Sequence, residues 1–269
     1  MNLRCAILPD VTWGQLDPGA LLERTGDPFV RYAAPPDALA LAGPHGWAVL
    51  VQWRAHGHWG GAAVVAPDAP VGTESEALVE LTRLAANRGA APEWFSTVGE
   101  RELHAPAGLR IDGQGRWAFM WTTRADDLPA GPVGLVELDD TADAEEIEAF
   151  GRGHNPDFEG FPGHGLASLW LGVRDRAGLV AVGAEHVLGS GAPHLSGIVV
   201  RPDLRGTGLG AALTAELTRR ALARHGVATL GVYSANAVAL RLYERLGYVV
   251  AHHLHTRTLG RRRSGGGAA

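Results

Sequence analysis

The sequence predicts an α/β protein built from two related halves, and three observations carry that prediction. First, Val64-Val65-Ala66-Pro67-Asp68 precedes Glu80-Leu81-Thr82-Arg83, and Val199-Val200-Arg201-Pro202-Asp203 precedes Glu216-Leu217-Thr218-Arg219. The offsets are 135 and 136 residues in a chain of 269. A repeat of that length is a duplicated domain, because solenoid periods run at about 20–50 residues. Second, each half runs from an apolar β-branched stretch through a Pro-Asp turn into an amphipathic helix, and then into a short extended run. Third, 46% hydrophobic and 20% charged residues give the balance of a packed core. No apolar run approaches the roughly 18 residues of a membrane span.

The elements follow from these patterns. Ala77, Leu78, Leu81, Leu84 and Ala85 hold the i, i+3, i+4, i+7 spacing of one buried helix face, with Gly89 beyond it as a left-handed cap. Trp94 to Val98 then reads as extended. The segment Asp126 to Pro132, rich in Pro, Gly and Asp, is the expected linker. Val133 to Leu138 predicts a strand and Ala142 to Phe150 an acidic helix. Trp170 to Val173 and Leu179 to Val187 predict a hairpin across Asp175-Arg176-Ala177-Gly178. Leu209, Leu213, Leu217 and Ala221 stripe the second-half helix, which Gly226 ends. Ala228 to Tyr233 predicts a strand, Ala237 to Leu246 a helix, and Tyr248 to His255 a last strand. The expected organisation is therefore 1–128, 129–260 and a basic, glycine-rich tail over 261–269.

Composition bounds the function classes. The one cysteine, Cys5, excludes a disulfide framework and a cysteine-rich metal cluster. With no long apolar stretch behind a basic start in Met1 to Asp10, no secretory signal is expected, and a cytoplasmic setting is. A net charge of −5 gives no electrostatic footprint for nucleic acid. All 24 basic residues are arginine, which with the abundant Ala and Gly reflects coding bias. Neither a nucleic-acid nor a membrane partner is expected, and the oligomeric state is not legible.

The chemistry-bearing stretch is Ile198 to Ala211, where a strand ends, the chain turns, and Gly206, Gly208 and Gly210 stand at a helix start. Such glycines uncover backbone N–H groups, and the helix N-terminus adds its positive dipole end, so the spot suits a diphosphate beside Arg205. A Rossmann loop fits poorly, since Arg201 to Arg205 separate strand from glycine and no acid ends the next strand. A P-loop is excluded because no Gly-Lys-Ser/Thr follows. A glycine turn without a ligand stays open.

Arg205-x-x-Gly208-x-Gly210 on a strand–turn–helix resembles the acetyl-CoA signature of the GNAT superfamily of N-acetyltransferases. Asn236-x-x-Ala239-x-x-x-Tyr243-x-x-x-Gly247-Tyr248 resembles that family's second hallmark, in the right order and spacing. The resemblance covers roughly 130–260, and the first half follows by its repeat relation, as in tandem-domain members. It implies two GNAT-like domains, each a mixed, mostly antiparallel twisted sheet flanked by helices, with the second active and the first degenerate. Ile198, Val199 and Val200 would pair with the pantetheine arm of acetyl-CoA. Arg205, Gly206, Thr207, Gly208, Leu209 and Gly210 would hold the diphosphate, and Asn236 would contact the pantetheine. Tyr243 would give a proton to the leaving thiolate, although Ala239, Leu242, Tyr243 and Leu246 also form a helix face that could bury it. A strand N–H near Val199 would receive the oxyanion. No metal is required.

One departure stands out. Many members carry an acid on the strand before the signature, and here those positions are Ser196 and Gly197. Glu185 is the substitute base the sequence offers, with His186 and His194 as further candidates, and alternation lets only one of Glu185 and His186 face the cleft. His154 to Phe161, mixing acids and aromatics, lies where the family shapes its acceptor pocket and equally describes an ordinary loop. His252, His253 and His255 are expected as surface and edge residues. The resulting expectation is acetyl transfer to a primary amine of a small molecule. The alternatives are a non-catalytic acyl-CoA-binding module and an N-acetyltransferase acting on protein.

Overall fold

A computed structural model describes residues 13–53 and 58–262. Cys5, the stretch Met1 to Asp10 and residues 263–269 of the tail lie outside the described residues. No helix among those described is long and apolar enough to cross a membrane.

The strands are β1 (Gly14–Leu16), β2 (Leu39–Gly43), β3 (Gly46–Gln52), β4 (Trp59–Val65), β5 (Trp94–Val98) and β6 (Leu109–Thr122), then β7 (Leu135–Leu138), β8 (Ala167–Asp175), β9 (Gly178–Val187), β10 (Pro193–Val200), β11 (Ala228–Tyr233) and β12 (Val249–Arg261). The helices are α1 (Pro18–Thr25), α2 (Pro28–Ala33), α3 (Thr73–Ala86), α4 (Ala144–His154), α5 (Leu209–His225) and α6 (Ala237–Arg245). The extended runs expected at 94–98 and 228–233 are β5 and β11. The helices expected around Ala77 and Leu209 are α3 and α5, and Gly226 ends α5 at φ 71°. The last strand runs on past His255, so Arg261 closes β12 rather than opening a tail.

All twelve strands join one sheet, in the order β1-β2-β3-β4-β5-β12-β6-β11-β10-β9-β8-β7. Outward from the central β12–β6 pair the order is mirrored. β4–β5 and β10–β11 are the parallel pairs of the two sides. β6 ends the first half of the chain yet pairs with β11, and β12 ends the second half yet pairs with β5. Each half thus gives its last strand to the sheet of the other. The two given strands pair with one another from Val249↔Trp121 to Arg261↔Leu109.

Alternation along the strands separates two faces. On one, Leu78 and Leu81 of α3 pack on Phe95, while Leu213 and Leu217 of α5 pack with Leu240 and Tyr243 of α6. On the other lie Leu21 of α1, Phe29 of α2, and Ile147 of α4 with Phe158 and Trp170. The central strands carry Trp117 and Phe119 on this second face and Ala118 and Met120 on the first. β12 is consequently interior to the sheet, which corrects the expectation for its histidines. His255 is buried against Gln114, His252 is bonded to Asp27 at 2.8 Å, and His253 alone of the three is exposed.

Candidate active site

The two parallel pairs differ where it matters. In the first half β4 and β5 stay in register over four pairs, from Gly60↔Trp94 to Ala63↔Thr97. In the second half β10 and β11 meet only at His194↔Thr229 and Leu195↔Leu230. β10 then bulges between Ser196 and Val199, with Gly197 at φ 61°, and its remaining length parts from β11. Val199 and Val200 still pair with β9, but on the β11 side the backbone of Ile198 to Val200 has no ladder partner and faces a gap. A gap of this kind accepts an extended chain that offers amide groups of its own.

The glycine loop stands at the far end of that gap. Pro202–Leu204 makes one 3-10 turn, after which Gly206 (φ 80°) and Gly208 (φ 93°) take left-handed conformations with open space where side chains would stand. Gly208 is the N-cap of α5 and no side chain caps the helix. The first accepted helical N–H is that of Ala212, bonded to Gly208 O at 3.0 Å. Leu209, Gly210 and Ala211 therefore point their N–H groups outward without an intrahelical acceptor. No acid stands in the first turn. Arg205 folds back to donate to Val200 O at 3.1 Å and His154 O at 2.9 Å, which pins the loop while leaving its charge unpaired with any carboxylate among the described residues. Thr207 donates to Leu204 O at 2.8 Å. These groups fit a diphosphate: outward donors, a helix dipole and a cation.

The corresponding point of the first half is filled. α3 also begins behind a left-handed glycine, Gly72 at φ 94°. Its second residue is Glu74, 1% exposed and ion-paired with Arg101, which also donates to Ala69 O and Pro70 O at 2.9 Å. A carboxylate of the chain itself thus sits where Gly210 leaves space in α5.

Other expected residues fall on one face or the other. Asn236 caps α6, its side-chain oxygen accepting from Ala239 N at 3.0 Å. Tyr243 is half-buried on the α5–α6 face, its ring 6.0 Å from that of Tyr248, and burial pushes its phenol up to about 12. Glu185 lies on this same face but is fully buried at the other end of α5. It is bonded to Arg224 at 2.7 Å and to Ser168 Oγ at 2.8 Å. Fifteen residues of helix, roughly 22 Å, separate Arg224 from Leu209. The structure does not bring Glu185 to the gap, because residues of one parity on β9 face α5. Its neighbour His186 faces the opposite side, where it donates to Gly160 O at 2.9 Å. His194 is buried on that side as well, donating to Thr229 Oγ1 at 3.0 Å.

A carboxylate from another element stands beside Ser196. The loop after α4 buries Phe158 and seats Gly160 on Gly197, where a β-carbon would stand only 2.9 Å from Gly160 Cα. Ser196 donates to the backbone oxygen of Glu159 at 2.9 Å. The Glu159 side chain crosses to β11 and accepts from the Tyr233 hydroxyl at 2.9 Å. Desolvation, then the Glu159 charge, push the Tyr233 phenol up to about 12, so the phenol keeps its proton at neutral pH. Tyr233 carries no signal in sequence beyond ending a strand, and Glu159 is one of two acids in the His154 to Phe161 loop, for which the sequence leaves a pocket role and an ordinary turn both open.

The acetyltransferase (GNAT) family model matches residues 118–248. Residues 118–248 are a GNAT acetyltransferase domain. A GNAT-family protein from Novosphingobium aromaticivorans is 26% identical, with a TM-score of 0.52 over 75% of this chain and 84% of that one. A GCN5-related N-acetyltransferase from Kribbella flavida (17% identity, TM-score 0.50) covers 90% of this chain and 95% of its own. A GNAT acetyltransferase from Colwellia psychrerythraea (12% identity, TM-score 0.50) covers 93% and 100%. These last two share the fold across both halves. No curated protein matches the sequence. The GNAT family transfers acetyl groups from acetyl-CoA, and the gap between β10 and β11, the α5 loop and Tyr243 all lie inside the matched GNAT domain. Among the described residues no group of three or more His, Cys, Asp or Glu is arranged to hold a metal ion.

Proposed function

We propose that this protein transfers an acetyl group from acetyl-CoA to a primary amine of a small molecule, by direct attack in a ternary complex at one site per chain. The observation that carries the reading is the contrast between the open β10–β11 pair and the closed β4–β5 pair, behind helices that start alike.

When bound, acetyl-CoA supplies an activated carbonyl and a thiolate leaving group. Gly206 to Gly210 orient the diphosphate with their N–H groups, and Arg205 adds fixed charge. Ile198 to Val200 align the pantetheine arm along the strand edge, with Asn236 opposite. An N–H near Val199 donates to the thioester oxygen as charge builds there. Tyr243 reaches the sulfur from the α5–α6 face and, protonated at neutral pH, hydrogen-bonds it as it leaves. Glu159 works from the opposite face, where it takes the proton that would otherwise block the amine lone pair. The base role expected of Glu185 passes to Glu159 in this scheme. A reducing, cytoplasmic setting accords with a sequence carrying one cysteine.

A thiol assay for CoA release over a panel of primary amines, with titration calorimetry of acetyl-CoA, tests the reading. One cofactor bound per chain and amine-dependent release are expected. Binding without release by any amine would leave an acyl-CoA-binding module in its place, and two equivalent sites would refute the contrast between halves.

A further inference from the structure

Beside the Glu159–Tyr233 bridge lies an aromatic surface that the reaction does not explain. Trp117 on β6 stands directly across from Tyr233 on β11, so both side chains rise from the same face. The next β11 residue on this face is Gly231, and the Trp117 ring lies over it, 3.2 Å from where a β-carbon would stand. The ring is locked, because Trp117 Nε1 donates to Thr256 Oγ1 at 2.7 Å and Thr256 is bonded to Ser96 Oγ at 2.6 Å. Trp53 meets Trp117 edge-on at 6.0 Å and His194 edge-on at 5.7 Å. Both tryptophans are half-buried, and Trp53, following β3, belongs to the first half of the chain.

A carboxylate at one end and a rigid indole wall at the other define a ligand by its chemistry. The carboxylate matches an ammonium and the wall matches a flat apolar body. Resting on the acetyltransferase reading above, we propose that the acceptor is a primary amine carried on an aromatic or flat apolar group. Its ammonium is held by Glu159, which Tyr233 positions, and its body lies along Trp117 and Trp53. The first half then contributes a wall of the active site, which explains why a half with a blocked cofactor site is kept in one sheet with the active one.

The step balances. Glu159 takes one proton from R–NH3+, the freed nitrogen attacks the thioester carbon, the C–N bond forms and the C–S bond breaks. The sulfur leaves as thiolate and takes up one proton, while the nitrogen sheds its second to solvent. The sum is R–NH3+ and thioester giving amide, thiol and one H+.

The experiment compares CoA release with 2-phenylethylamine, n-butylamine and phenylalanine, whose carboxylate would face Glu159. The wild type should favour 2-phenylethylamine by at least tenfold in kcat/KM over each of the others. Trp53→Leu should raise KM for the aryl amine by about fivefold to tenfold, the scale of one aromatic contact, and change that for n-butylamine much less. Should Trp53→Leu fail to fold, the exposed Glu159→Gln decides. It should raise KM for 2-phenylethylamine at least tenfold, move the acidic limb of the pH profile and narrow the margin over phenylalanine. Tyr233→Phe should shift that limb without altering acetyl-CoA affinity. If no amine releases CoA, both readings fall. If amines are acetylated but aryl preference is absent, this inference alone is overturned; if Glu159→Gln changes neither KM nor pH profile, it falls together with the base role given to Glu159 above.

Discussion

Replacing Gly210 with glutamate should make the protein more stable and at the same time unable to hold acetyl-CoA. Gly210 is the second residue of α5, and its counterpart in α3 is Glu74, behind glycines of nearly identical conformation (φ 93° and 94°). A β-carbon at 210 meets only Val200 Cγ2 at 3.4 Å, an ordinary contact, so Gly210→Glu is accommodated. A carboxylate in the first helical turn contributes roughly 0.3–1 kcal/mol through the dipole, and replacing helical glycine adds about 0.5 kcal/mol. Together these should raise Tm by about 2–5 °C in a chain of this size. The same carboxylate would stand about 4 Å from a diphosphate oxygen. Like charges at that distance cost about 4 kcal/mol at an effective dielectric constant near 20, or about 2 kcal/mol once solvent screening is allowed for. Acetyl-CoA affinity should therefore fall by at least about thirtyfold. Titration calorimetry and thermal unfolding with and without acetyl-CoA read both effects on one sample. An affinity within threefold of wild type, with Tm raised, would show that the diphosphate does not sit at this helix start.

Four further outcomes are expected. Tyr243→Phe should lower turnover by about 10²-fold, the lower end for acid assistance from so weak an acid, with KM for acetyl-CoA nearly unchanged; lost stability with intact turnover would make Tyr243 core. Glu185→Gln should lower stability by about 1–2 kcal/mol, by weakening the contact of buried Glu185 with the exposed Arg224, and leave kcat intact; a collapsed kcat would restore Glu185 to the active site. A chain lacking residues 1–122 should fail to fold cooperatively, because it removes β6 from between β11 and β12; a sharp, wild-type-like melting transition would contradict the strand exchange. In a spectrophotometric titration Tyr233 and Tyr243 should ionise near pH 12 rather than 10. Their folded pKa values lie above the unfolded one, so the stability they contribute is complete below pH 10 and lost between about 10 and 12. Tyr233→Phe should remove one of these late-titrating groups, and a normal titration near 10 would contradict the Glu159 bridge.

The sequence by itself determined much of the second half. Glycines at 206, 208 and 210, the apolar stripe of α5 and the run at 228–233 are local signals, because backbone conformation, helix periodicity and dipole are set within a few residues of the chain. The glycine-rich start of α5 was legible for that reason, and so was its first-half counterpart behind Gly72, where Glu74 stands in place of Gly210. The tertiary structure decided what depends on partners distant in sequence. No local pattern states that β6 leaves its own half to lie between β11 and β12, since strand pairing is chosen by register and burial across 106 residues or more. Glu185 looked available because alternation leaves open which parity faces α5, and Arg224 settled that it is an ion-pair partner. Glu159 and Tyr233 are 74 residues apart and meet only because Gly197 bulges, the strands part, and the loop after α4 folds over the opening.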